Sequence, residues 1–174
     1  MPKQTIRENI SKALTLLFLV VIIAIGLNYK NPENTGLEKV VVKKIIDGDT
    51  IEIENGQQIR YIGIDTPEYG EYYFEQAKLE NEKMLSSKDV YIEKDILEKD
   101  KFDRILAYVW VDKNILINNQ LLEMGMAFPL FIPPNKKYQE LFIKSFEKAQ
   151  ASDIGVWKQN KNWKLLNYRE YNNI

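Results

Sequence analysis

The stretch Ile46–Glu68, IDGDTIEIENGQQIRYIGIDTPE, sets two strands around a turn and crowds charged side chains onto them. Thr50 to Glu54 alternates strictly, with Ile51 and Ile53 on one face, and Gln58 to Ile64 returns as the next strand. Asn55-Gly56 between them is a strong hairpin signal. With a two-residue turn, Ile51 lies opposite Arg60, and Asp49 becomes a diagonal same-face neighbour of Arg60 at about 7 Å. A three-residue loop shifts that register by one. Asp47, Asp49, Arg60, Asp65 and Glu68 therefore fall within one hairpin and the turn that follows it. Acidic oxygens and an arginine this close together suit a hard divalent cation and a phosphate. A second arginine, Arg104, follows in Asp100–Val111, DKFDRILAYVWV.

Outward from this hairpin the pattern is mixed. Lys39–Ile46 is rich in valine and isoleucine and reads as a strand, and Val90–Glu93 and Ile105–Val111 read as two more. Tyr73–Leu85 reads as a helix with Phe74, Ala77 and Met84/Leu85 as its buried candidates. Ile117–Met124 is a short helix ended by Gly125. Tyr138–Ala151 is amphipathic, with Phe142, Phe146 and Ala149 on one face. Five strands, one helix between the third and fourth and two after the fifth make an α+β fold built on a small closed barrel.

The 174 residues include no cysteine and no histidine. That absence excludes disulfide scaffolds, thiol nucleophiles, cysteine–histidine zinc sites and every mechanism that needs histidine as base or ligand. Acid–base chemistry is left to carboxylates, lysine, tyrosine or metal-bound water. An oxygen-only donor set points to calcium or magnesium rather than zinc or copper. Formal net charge is −1; without Lys3, Arg7, Glu8 and Lys12, 21 basic and 24 acidic residues remain, a balance of −3. This is not the global basic field of a tight nonspecific DNA binder, so any grip on phosphates is local.

Ala13–Leu27, ALTLLFLVVIIAIGL, is uncharged and almost wholly apolar, and Lys3, Arg7 and Lys12 precede it. This is the layout of an export signal, with the basic end held inside. It reads either as a retained membrane anchor or as a signal peptide cleaved after Ala24-Ile25-Gly26, the anchor being favoured. The segmentation is then a basic cytoplasmic segment at 1–12, the apolar helix at 13–27, a polar linker at 28–38, a folded domain at 39–160 and a tail at 161–174. The favoured location is a single-pass cell-membrane protein with its domain outside the cytoplasm; the alternative is secretion.

DGDT at 47–50, Arg60 on the next strand, DTPE at 65–68 and DKFDR at 100–104 occur in one order. In these four pieces the chain resembles the staphylococcal (micrococcal) nuclease, or thermonuclease, family, over about Val40 to Trp157. The resemblance implies a five-stranded OB-fold barrel with three helices. It also implies a calcium-dependent phosphodiesterase acting on DNA and RNA with little sequence specificity and leaving 3′-phosphate ends. It places Asp49, Asp65 and the Thr66 carbonyl on the calcium. Glu68 becomes the general base or water-positioning group, and Arg60 and Arg104 the phosphate and transition-state contacts. Lys101 and Phe102 fall on the substrate side, Phe102 standing where the family has tyrosine. Asp103 stands where it commonly has glycine, which puts the geometry of that loop in question, and an ion pair between Asp103 and a neighbouring arginine is one outcome. Phe128 and Phe131 lie in an altered loop and read either as stacking residues or as core. A monomer is expected. The competing reading is a noncatalytic OB-fold binding module, against which the retained acids and arginines speak.

Overall fold

The structure, a computed structural model, describes residues 36–158. The expectations for the basic segment, the apolar helix and the tail lie outside those residues, as does the linker up to Thr35. Among the described residues no helix is long and apolar enough to cross a membrane.

Among the described residues nine short strands and three helices follow one another. They are β1 Leu37–Val40, β2 Val42–Ile45, β3 Thr50–Ile53, β4 Gln58–Tyr61, β5 Gly63–Asp65, α1 Phe74–Leu85, β6 Val90–Lys99, β7 Ile105–Val111, β8 Ile115–Leu116, α2 Ile117–Glu123, β9 Phe128–Leu130 and α3 Gln139–Ala151. A 3₁₀ turn, Gly155–Lys158, ends the described chain. The five expected strands are present, but two are broken, at Val41 and Ile62, and β8 and β9 are additional. The main sheet runs β1-β6-β7-β4-β3-β2, with β8 on β7 and β5-β9 as a separate pair. β1 and β2, at opposite ends of this order, are separated by Val41 alone, so the sheet curls until its two edges share one stretch of chain. Mixed α+β architecture with a curled sheet and three helices fits an OB-like fold.

The hairpin register departs from the two-residue expectation. Thr50 pairs with Arg60 and Ile51 with Ile59. Ile53 N–H donates to the Gln57 carbonyl at 3.0 Å and Gly56 N–H to the Ile53 carbonyl at 2.9 Å, closing a three-residue loop. Gly56 sits at φ +82°, the left-handed residue that such a loop uses after its type I turn.

The core forms where alternating residues of these strands meet the helices. Ile51, Ile59, Tyr61, Ile92, Ala107 and Val109 are essentially inaccessible. α1 buries Ala77, Asn81 and Leu85, spaced four apart on one face, whereas Phe74 and Met84 are only partly buried. α3 buries Phe142, Phe146 and Ala149 as its periodicity demands. Trp157 is buried between Phe128 and Phe146, at centroid distances of 5.4 and 5.2 Å.

α2 ends as Gly125 enters the left-handed region at φ +65°. Gly125 N–H bonds the Leu122 carbonyl and Met126 N–H the Leu121 carbonyl, at 3.0 and 2.8 Å, a Schellman cap. A Cβ at Gly125 would lie 2.5 Å from the Ile154 carbonyl oxygen, so both conformation and space require glycine. Gly125→Ala is expected to lower stability by at least ~2 kcal/mol; urea unfolding followed by tryptophan fluorescence checks this, and an unchanged midpoint would contradict it.

Candidate active site

The acidic half of the site is assembled by the β2–β3 turn and the start of the loop after β5. Asp47 Oδ1 accepts the Asp49 backbone N–H at 2.9 Å, so Asp47 shapes the turn. Gly48 is required here, because a Cβ on it would sit 2.7 Å from Thr66 Oγ1. The close approach lets Asp49 Oδ2 accept both the Thr66 N–H at 2.7 Å and its hydroxyl at 3.1 Å. Asn81, fully buried on α1, accepts from the Tyr61 hydroxyl at 2.9 Å and donates to the Asp47 carbonyl at 3.2 Å. Composition and periodicity did not single this asparagine out; a polar residue on the apolar face of a helix was the available signal.

Arg60 joins the two strand ends. Its Nη1 donates to the carbonyls of Tyr61 and Ile64, both at 2.7 Å, and its Nη2 to Asp65 Oδ1 at 3.0 Å. Its Nε lies 3.1 Å from Asp49 Oδ1. Asp49 and Arg60 are in contact although the register is one residue off the two-residue turn that would make them same-face neighbours. Arg60 and Asp49 are nearly buried, and Asp65 is partly exposed.

Burial pushes the Asp49 carboxyl up to about 6; Arg60 pulls it back, and Asp47 and Asp65 push it up again. The acidic cluster thus carries more negative charge than Arg60 neutralises, and its donors are hard oxygens. Among the described residues no three His, Cys, Asp or Glu side chains form a ready metal cluster. A cation held by Asp49 and Asp65 would draw its other ligands from backbone, water or substrate. This donor set fits calcium, which accepts six to eight oxygens in loose geometry.

Glu68 follows Pro67 on the exposed turn beyond Thr66. Its backbone N–H donates to Glu71 Oε2 at 2.6 Å and its carbonyl accepts the Glu71 N–H at 2.8 Å, which fixes the turn. Tyr69 and Tyr72 are exposed and pack edge-on against Phe74 and Tyr73. They do not line the groove.

That groove, of about 430 Å³, lies on the other side of Arg60. It is lined by Arg60, Arg104, Lys101 and Phe102 and by the aliphatic side chains of Leu97, Leu106, Leu130 and Ile132. Asp100 holds its loop together. It accepts the N–H groups of Phe102 and Arg104 at 2.9 and 3.1 Å and Arg104 Nε at 2.7 Å. Burial alone would raise the Asp100 carboxyl, but the Arg104 hydrogen bond and the two amides hold it below its ordinary value. Asp103 takes φ +65°, so the left-handed turn is kept without glycine. Its carboxylate pairs with Lys99 Nζ at 2.7 Å, not with an arginine. Phe102 is largely exposed, with Lys101 Nζ 5.0 Å and the Arg104 guanidinium 5.5 Å from its ring centre. Phe128 and Phe131 are buried, which decides for core and against stacking. The exposed walls that sequence reasoning missed are Leu130 and Ile132, brought here by a strand and loop some seventy residues from Arg60.

Arg60 thus joins the Asp49 and Asp65 carboxylates to a groove that also holds Arg104, an arrangement suited to a phosphodiester, and comparison with known proteins agrees. Residues 58–159 match the family described as staphylococcal nuclease homologue. The chain is 37% identical over 131 residues to the thermonuclease of Staphylococcus intermedius, covering 70% of this chain and 77% of that one. It is 35% identical over 133 residues to the thermonuclease of Staphylococcus hyicus, covering 71% and 78%. Endonuclease YncB of Bacillus subtilis (strain 168) is 33% identical over 135 residues, covering 71% and 64%. The chain belongs to the staphylococcal nuclease family.

The buried Asp49 sets a pH dependence. Its folded-state value, about 6, stands above the ordinary 3.8, so between those pH values the folded state keeps a proton that the unfolded chain has lost. Stability from this group is therefore full below pH 3.8 and is lost as pH rises toward about 6. In chelator, the stability of Asp49→Asn relative to the parent is expected to rise between pH 4 and pH 7. Urea titrations of both proteins at pH 4 and pH 7 test this: an equal pH slope in the two would remove Asp49 as its source.

Proposed function

We propose that the protein is an exported, calcium-dependent nuclease that hydrolyses phosphodiester bonds of DNA and RNA with little sequence specificity, leaving 3′-phosphate ends. The observation that carries this reading is Arg60, which pairs with Asp49 and Asp65 and also lines the groove holding Arg104, Lys101 and Phe102. Thermonucleases and an endonuclease among the relatives support it. Export rests on the basic and apolar N-terminal pattern, and it would supply the calcium that an oxygen-only site needs while keeping the activity from the cell's own nucleic acid.

Asp49, Asp65 and the Thr66 carbonyl would hold the calcium ion, which when bound supplies Lewis-acid polarisation of the phosphate. The chain's own groups do the rest. Three Arg60 N–H groups are spent on protein acceptors, so the guanidinium is locked in plane beside the two aspartates and is reorganised little when charge develops on phosphate oxygens. Arg104, aimed by Asp100 through Nε, presents its remaining N–H groups to the groove, where a leaving oxygen gains charge. Glu68 orients or deprotonates the attacking water from its fixed turn, since no histidine is present to do so. Phe102 and the aliphatic walls exclude water from one side of a base or sugar, and recognition through backbone and ring faces is indifferent to sequence.

Purified protein is expected to cleave single- and double-stranded DNA in millimolar calcium and to stop in chelator. Magnesium, stricter in geometry, is expected to support less turnover. Full activity in chelator would sink the metal-dependent mechanism. A folded sample that cleaves nothing in calcium would favour the noncatalytic OB-fold module.

Glu68→Gln, Arg60→Lys and Arg104→Lys are each expected to lower turnover by at least ~10²-fold, the scale for losing a water-directing group or a transition-state donor. Lysine keeps the charge but loses the paired planar donors. Steady-state kinetics on folded variants decides; full activity of Arg104→Lys would mean that the Asp103 loop turns Arg104 away from the phosphate.

A further inference from the structure

β6 bulges where it passes the groove. Lys94 pairs with Ala107 and Lys99 with Ile105, so four residues of β6, Asp95–Glu98, stand against the single Leu106 of β7. A bulge of this size takes backbone groups out of the ladder, and a buried unpaired N–H or C=O is costly. Leu97 shows how the loss is met. Its N–H donates to Asn135 Oδ1 at 2.8 Å, and its carbonyl accepts from Asn135 Nδ2 at 2.7 Å. One buried amide thus replaces a neighbouring strand. The same asparagine closes a turn, its backbone N–H donating to the Ile132 carbonyl at 3.2 Å. Leu97 and Ile132 both line the groove, as does Asn135 itself.

We propose that Asn135 is a positioning residue that sets substrate affinity by clamping the Ile132–Asn135 turn to the Leu97 bulge, so that the two apolar walls of the groove keep one separation. The inference rests on the groove being the substrate cleft of the nuclease reading. The bonds of Asn135 go to the Leu97 backbone and the Ile132 carbonyl, so its effect falls on binding rather than on the chemical step. The loop after the clamp has its own anchors: buried Glu93 accepts from Lys137 Nζ and from the Tyr138 hydroxyl, and the Lys137 N–H donates to the Tyr108 hydroxyl at 3.1 Å. Cutting the clamp therefore frees the Ile132 wall while the start of α3 stays in place.

The test uses the full chain with single-stranded DNA in calcium, comparing the parent with Asn135→Ala, Asn135→Asp and Ile132→Ala. Ile132 is 62% exposed, so its truncation leaves the core intact and keeps the test open if an Asn135 variant does not fold. The expected result is a KM raised roughly tenfold in Asn135→Ala and Ile132→Ala with kcat within about twofold of the parent, the signature of lost uniform binding. Asn135→Asp, which keeps the acceptor for the Leu97 N–H but loses the donor, is expected to fall between. A residue with a merely structural part would lower the melting temperature and leave KM alone. Parent-like KM in folded Asn135→Ala, or in Ile132→Ala where the former does not fold, overturns the clamp while leaving the nuclease reading intact. A parent protein that cleaves nothing overturns that reading and the clamp with it.

Discussion

The Arg60 guanidinium is the element on which the site depends. Removing a guanidinium and a carboxylate from water costs several kcal/mol per ion, and a buried pair alone does not reliably offset that cost. Here the offset comes from saturation. Two carbonyls, the Asp65 carboxylate and the Asp49 carboxylate all face the same cation. Because those carbonyls belong to Tyr61 and Ile64, Arg60 also spans the break in the chain at Ile62. The kink between β4 and β5 is thereby fixed by the residue that needs it, since the kink is what carries Asp65 back toward Asp49.

Other parts of the fold hold that kink from behind. Asn118 of α2 accepts the Val109 N–H at 2.9 Å and donates to the Ile62 carbonyl at 2.8 Å. Ile62 N–H reaches the Ala107 carbonyl, and Gly63 follows at φ +79°, where a Cβ would strike the Phe142 ring. Asn81 does the equivalent work for the Asp47 turn. The site is thus built at a defect in the sheet, and the backbone groups released there find the Arg60 guanidinium, a buried amide side chain or a neighbouring strand. Buried amides suit this task because one side chain both donates and accepts.

What the sequence revealed and what it hid divide along a physical line. The acids, Arg60 and the hairpin were legible because they lie within one short stretch whose first strand alternates strictly. The register was not, because Asn-Gly serves a two-residue turn and a three-residue loop alike. Breaks at Val41 and Ile62 were hidden because the residues at the breaks are themselves β-branched and favour strand, although the glycine after Ile62 was a mark of one of them. β6 was read too short because Asp95–Glu98 mixes charge and apolar character where the strand bulges. Groove walls from Leu130 and Ile132 depend on a tertiary contact with β6 that no local pattern encodes. The Asp103 question was settled by geometry: aspartate accepts the left-handed turn better than most residues, and its exposed pair with Lys99 leaves Arg104 to Asp100.

On the proposed reading, Glu68 is the water-directing carboxylate of a site without histidine. A carboxylate that directs water has to be reachable by water, yet must not drift. Burying it beside Asp49 would meet the second need and defeat the first, and would add a fourth acid to a cluster already short of positive charge. Instead Glu68 stands exposed on a turn whose backbone is held by Pro67 before it and by reciprocal bonds with Glu71 after it. Fixing the backbone while leaving the side chain in solvent separates the two requirements. On the same reading Arg60 faces the opposite demand, since a cation that grips phosphate works best in a dry, preorganised setting, and it is the residue that the fold encloses.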